Sequence, residues 1–330
     1  QISVLSGARG HLIGEVKAYL QIIAGFSLFW CGSIYMDMGV RAMGKPRLSM
    51  LVTLLASLIN ISCDLLFVGV FHWGIRGAAL GTGIGFVVSF AILLRQYYLP
   101  QARLRFQRFK FRGRIILKIM ANGSSEALTQ LSVGITTLLF NLVLMGRIGE
   151  SGVAAFSIIL YLHELLIAIT IGIASAIIPI VSYNYGAQKP RRVLRVLSLA
   201  LKAGFSIGLL TTATIYLAGD SLARIFSHEP DLIRLTASAL RLFAPCYLFI
   251  GINIIASSYF TAMEDAVRSA LISVQRSLIF ILLGLWALPL FFGNNGIWMT
   301  IPAAELLTVL CSVPMLIYSR RRLRRQAQGL

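Results

Sequence analysis

Acidic residues are scarce in this 330-residue chain: 12 Asp and Glu stand against 30 Lys and Arg, and only 13% of all residues are charged. With 57% hydrophobic residues and so little charge to cover them, the chain cannot form a water-soluble globule, so the bilayer is its solvent. The four histidines (His11, His72, His163, His228) do not cluster in sequence. The four cysteines (Cys31, Cys63, Cys246, Cys311) fall in four different apolar runs, a spacing that argues against zinc or redox chemistry. There is no nucleophile with a neighbouring base, no P-loop and no strand-flanked glycine fingerprint, so neither catalysis nor a cofactor is expected. The nearest approach, GTGIG at 81–85, lies inside an apolar run and predicts close helix packing.

What is abundant is apolar length. Nine runs, about 18–40, 48–71, 77–99, 116–146, 152–180, 196–218, 236–262, 269–292 and 297–318, each suffice to cross a bilayer as helix. Short loops join them, which predicts an all-α polytopic bundle rather than a soluble domain on an anchor. A net charge of +18 suggests nucleic acid in a soluble protein, but here the placement of the charge decides. Alternating the loops puts the clusters at 41–47, 95–118, 189–202, 268–276 and 320–325 on one side, 23 Lys and Arg against 7 on the other. By the positive-inside rule that side is cytoplasmic and includes the C-terminus and the loop RLRFQRFKFRGRIILK. The bilayer is thus the partner and nucleic acid is not. The opening stretch, QISVLSGARGHLIGEV, reads as the tail of an earlier helix.

The chain repeats itself. At an offset of 220, AMGKPRLSMLVTLLASLI (42–59) falls on AMEDAVRSALISVQRSLI (262–279), and residues 12–66 give 16 identities in 55. One residue out of step, GIRG (74–77) meets GNNG (293–296). Both members of each pair cross in the same direction, so the repeat is parallel. The expected organisation is 1–99 as the last three helices of an N-terminal bundle, 100–115 as a basic cytoplasmic linker, 116–318 as a complete six-helix bundle and 319–330 as a basic tail. On this reading about three helices precede residue 1, and the complete protein has 6 + 6 helices.

Three stretches then resemble one family: YNYGAQ (183–188), LINISCDLLFVGVFHWGIRGAALGT (58–82) and NGSSEALTQLSVGITTLLFN (122–141) are similar to the multidrug and toxic compound extrusion (MATE) family. The resemblance covers essentially the whole chain. It implies a Na⁺- or H⁺-coupled antiporter, two bundles around a central cavity, that exports amphipathic and often cationic drugs or metabolites by alternating access. A monomer in the bacterial inner membrane is expected. Two alternatives remain: a lipid-linked oligosaccharide flippase of the same superfamily, and a polytopic lipid-modifying enzyme.

Coupling chemistry needs ionisable groups inside the bilayer, where a charge demands a partner or a task. Glu126 and Glu164, on consecutive helices, are expected to face one cavity and share a cation, with Gln130, Thr129 and Asn141 supplying neutral oxygens. Glu305 is a further candidate, as is Asn253, which stands on a helix where the family would offer an acid. Asn60 and Asp64, spaced i, i+4, are read as a polar pair that ties helices together, and Asp37 as an interfacial residue. Tyr35, Met36, Tyr247 and Tyr259 are candidates for a substrate cavity. Pro179, Tyr183, Asn184 and Gly186 are read as a helix stop and gate hinge, with Gly186 supplying the positive φ.

Overall fold

A computed structural model describes residues 12–107 and 112–328. Among these residues there is no strand. The chain forms two compact units, Gln1–Lys110 and Phe111–Leu330. The first contains α1 (Leu12–Ala42), α2 (Pro46–Asp64) prolonged by a π-helical turn Leu65–Val70, and α3 (Gly74–Tyr98). The second contains α4 (Gly113–Arg147), α5 (Glu150–Gly186), α6 (Pro190–Phe226), α7 (Pro230–Phe243), α8 (Cys246–Ala262), α9 (Ala266–Val274), a π-helical turn Gln275–Ile279, α10 (Phe280–Phe292) and α11 (Asn294–Gln328). Helices are what such apolar runs must form in hydrocarbon, because only there does every backbone N–H find its carbonyl within the segment.

Among the described residues eight helices are long and apolar enough to cross a membrane, or nine if the bent pair α7 and α8 is one span. That pair breaks by 52° at Pro245, where the first copy of the repeat has Gly25 within the continuous α1. Helix starts follow local chemistry: Pro46, Pro190 and Pro230 stand in the first turns of α2, α6 and α7, where a missing N–H costs nothing.

Backbone turns repeat with the sequence. The turn after α1 carries Gly44 at φ +85°, and its counterpart after α8 carries Glu264 at φ +60°. Gly74, the first residue of α3, and Gly293, which immediately precedes α11, both stand at φ +56°. The GTGIG stretch packs as anticipated: a Cβ on Gly85 would lie 3.1 Å from the Ala56 carbonyl oxygen, and one on Gly83 would enter the Phe26 ring.

The first unit closes around Met36, Val40, Leu93 and Tyr97. The second has two apolar cores. One lies around Phe156, Phe243, Tyr247 and Trp298; the other lies around Leu197, Tyr259, Phe260 and Leu316. Between these cores the second unit buries polar groups.

Candidate functional site

Asn253 on α8, Glu305 and Ser312 on α11 and Arg276 on the π-helical turn form one buried network. Arg276 Nε donates to Glu305 Oε1 at 3.1 Å, and the Asn253 amide donates to Glu305 Oε2 at 2.7 Å. That amide also donates to the Glu305 backbone carbonyl at 2.9 Å, and the Ser312 hydroxyl donates to Asn253 Oδ1 at 2.9 Å. The Glu305 side chain is 3% exposed and that of Arg276 18%. Such a pair persists in a low-dielectric interior because each carboxylate oxygen has its own donor. Arg276 sits in a π-helical turn, a backbone variant that concentrates at functional sites.

One turn along α8 the polarity continues as hydroxyls. Ser257 meets Ser269 at 3.1 Å and Ser273 at 3.0 Å, and Thr261 meets Ser269 at 2.6 Å. The same places in the first unit hold an ion pair instead. Asp37 bonds Arg41 at 2.7 Å and accepts from Ser49, with its side chain 17% exposed. Asp37 also lines a cavity of about 300 Å³ with Trp30, Thr53, Asn60, Thr82 and Phe86, where the Trp30 and Phe86 rings stack at 5.8 Å. Asp37 is therefore a half-buried residue that lines this cavity.

The residues expected to couple a cation are distributed differently. Glu126 and Glu164 are both exposed on their helices, and neither has a basic partner within 4.0 Å among the described residues. Gln130 reaches Glu126 through its amide nitrogen rather than its oxygen, Nε2 donating to Glu126 Oε1 at 3.4 Å. Thr129 is half-buried. Asn141 lies 15 residues further along α4, and its buried Oδ1 has no partner among the described residues. Measured from the turn that joins α4 to α5, Glu126 lies about 32 Å along its helix and Glu164 about 21 Å. By residue count the two carboxylates thus stand about 10 Å apart in depth along their helices. His163, next to Glu164, points the other way, with Nδ1 3.2 Å from the Tyr247 hydroxyl.

In the first unit the Asn60 amide donates to Thr82 at 3.2 Å, while the buried Oδ1 of Asp64 has no partner among the described residues. Tyr247 and Tyr259 are core residues, Tyr259 bonding Ser319 at 2.9 Å; Met36 is also buried and Tyr35 is on the surface. None of these four lines the cavity.

The YNYG stop needs a correction. α5 runs through Pro179 to Gly186, and the residue with positive φ is Gln188 at +53°, not Gly186. Lys189 N–H bonds the Asn184 carbonyl at 2.9 Å and Gln188 N–H that of Tyr185 at 3.0 Å, which closes a Schellman motif. In that motif the left-handed residue is the one just before the N–H that closes it, which places the strain two residues beyond the glycine. Asn184 is buried and bonds Ile180; Tyr183 is exposed. Gln188→Gly is expected to stabilise the protein by about 0.5–1 kcal/mol by relieving that φ, read as a higher midpoint in thermal unfolding.

Comparison with known proteins places these features. A family model described as MatE matches residues 127–286. The multidrug export protein MepA of Staphylococcus saprophyticus is 24% identical over 328 residues, which cover 98% of this chain and 71% of that protein. MepA of Staphylococcus aureus strain MSSA476 gives the same identity and coverage. Among solved structures, an outward-facing multidrug resistance MATE family transporter superposes with a TM-score of 0.88 at 22% identity, over 99% of this chain and 74% of that one. A MOP superfamily transporter from Pyrococcus furiosus gives 0.89 at 22% identity, over 97% and 72%. At such identities the structural likeness speaks for the fold alone.

Proposed function

We propose that this chain is a secondary transporter of the MATE family, whose model matches residues 127–286, and that it exports amphipathic, often cationic organic compounds by alternating access, driven by a counter-flow of Na⁺ or H⁺. The observation that carries the coupling half of this reading is the contrast among the acids of the second unit. Glu305 is neutralised by Arg276, whereas Glu126 and Glu164, both on membrane-spanning helices, have no basic partner among the described residues. A carboxylate kept unpaired at membrane depth is costly unless a cation visits it, so these two are the exchange stations. The substrate half is supported by the Trp30–Phe86 pair and Asp37 in one cavity, a surface suited to a planar cation. Multidrug export is also what the MepA relatives are named for. The protein acts as a monomer in the bacterial inner membrane, with its basic C-terminal tail in the cytoplasm.

The test is efflux of a fluorescent organic cation from vesicles under imposed Na⁺ or H⁺ gradients. Glu126→Gln or Glu164→Gln is expected to lower gradient-driven efflux at least about tenfold while the protein stays folded. Parent-like efflux in both variants would remove the exchange role from these carboxylates, and an absence of gradient dependence in the parent would remove antiport.

A further inference from the structure

The internal repeat supplies its own control for the buried network. With α2 set on α9 and its π-helical turn at an offset of 220, and α3 on α11 at 219, Ala56 takes the place of Arg276 and Phe86 that of Glu305. Ser33 likewise takes the place of Asn253, and Leu93 that of Ser312. Packing confirms the register. A Cβ on Gly81 would strike Asp64 in the first copy, and at the matching crossing in the second the sizes are exchanged: a Cβ on Gly284 would lie 2.9 Å from the Thr300 methyl. Ser33, Ala56 and Phe86 all lie on the wall of the first unit's cavity. This place in the repeat is therefore open in one copy. In the other, a guanidinium and a carboxylate stand in it.

We propose that Arg276 is a tethered cation that permanently occupies the cation site of Glu305, so that this carboxylate closes the second unit rather than exchanging ions. The chemistry is direct. Both Glu305 oxygens are engaged, one by Arg276 and one by Asn253, and a small cation could enter only by displacing a guanidinium that cannot diffuse away. A guanidinium fixed to the chain stays beside Glu305 whatever the concentration of free cation, so the compensation does not depend on a visiting ion. Without that side chain the place becomes a carboxylate-bearing site for a small cation, held by Glu305 and the oxygen of Asn253. The proposal rests on the antiport reading only in leaving exchange to the unpaired acids; the latent site itself can be tested by binding, without transport.

The experiment compares the unfolding temperatures of purified parent, Arg276→Ala and Arg276→Ala/Glu305→Gln in methylguanidinium chloride, NaCl and choline chloride at equal ionic strength. Arg276→Ala is expected to unfold below the parent and to recover about 3 °C or more in millimolar methylguanidinium or Na⁺ relative to choline. The parent and the double variant should not respond. An equal response in the parent, or none in Arg276→Ala, overturns the proposal. If Arg276→Ala does not fold, efflux by Arg276→Met/Glu305→Gln decides: a half-saturating cation concentration within about twofold of the parent's supports a pair outside the exchange, and loss of cation dependence refutes it. A failed rescue leaves gradient-driven efflux untouched as a result, and failed efflux leaves the rescue untouched.

Discussion

Glu305→Leu is expected to destabilise the second unit by about 3–5 kcal/mol, which for a unit of this size lowers the unfolding temperature by roughly 10 °C. The cause is what remains behind. Arg276, only 18% exposed, would keep its charge without a counter-ion, and the Asn253 side-chain amide would lose its carboxylate acceptor. Removing both charges together, as Arg276→Met/Glu305→Leu, should recover most of the loss, since an apolar pair of similar volume replaces a pair whose attraction barely exceeds its desolvation. Thermal unfolding of the two single variants and the double one gives the coupling directly. Equal and additive losses would mean that the pair is not a unit.

A second large effect is expected from Gly208→Val, about 3 kcal/mol of destabilisation. α6 and α8 cross at backbone contact: a Cβ on Gly251 would stand 2.9 Å from the Gly204 carbonyl oxygen, and one on Gly208 would overlap the Tyr247 carbonyl. The obstructing atoms are main chain, so no rotamer change relieves the overlap, and the two helices must part. That displacement would shift α8 and with it Asn253, so the variant should weaken the Glu305 network as well as the core. Thermal unfolding checks the magnitude, and Gly134→Val, at a glycine where an added Cβ meets nothing within 4 Å, serves as the comparison.

The spans, their number and the repeat were legible because each depends on local features. A run such as 152–180 is apolar enough to insert whatever surrounds it, and α5 covers it and extends beyond it at both ends, by more than a turn at the second. The paired turns at Gly44 and Glu264, and at Gly74 and Gly293, follow from sequence alignment of the two copies. The helix stop was found but assigned two residues early, because a glycine advertises positive φ while the hydrogen bonds of the Schellman motif chose Gln188. Met36, Tyr247 and Tyr259 look like cavity residues in sequence since aromatic and sulfur side chains suit core and cavity alike; burial alone separated the two.

The acids mark the boundary most sharply. Glu126, Glu164, Asp64, Asp37 and Glu305 are equally conspicuous in the sequence, each a carboxylate in an apolar run. Sequence by itself determined that the chain crosses the bilayer, where its helices lie and that its halves repeat, because transfer free energy and helical periodicity act over one segment at a time. Only the tertiary structure decided that Glu305 has a basic partner and that Glu126 and Glu164 have none among the described residues. Arg276 and Glu305 are 29 residues apart and meet because the helix that carries one returns beside the helix that carries the other. Glu126 and Glu164, on adjacent helices, do not meet because their depths differ. Pairing depends on depth and facing in three dimensions, which no single stretch of sequence encodes.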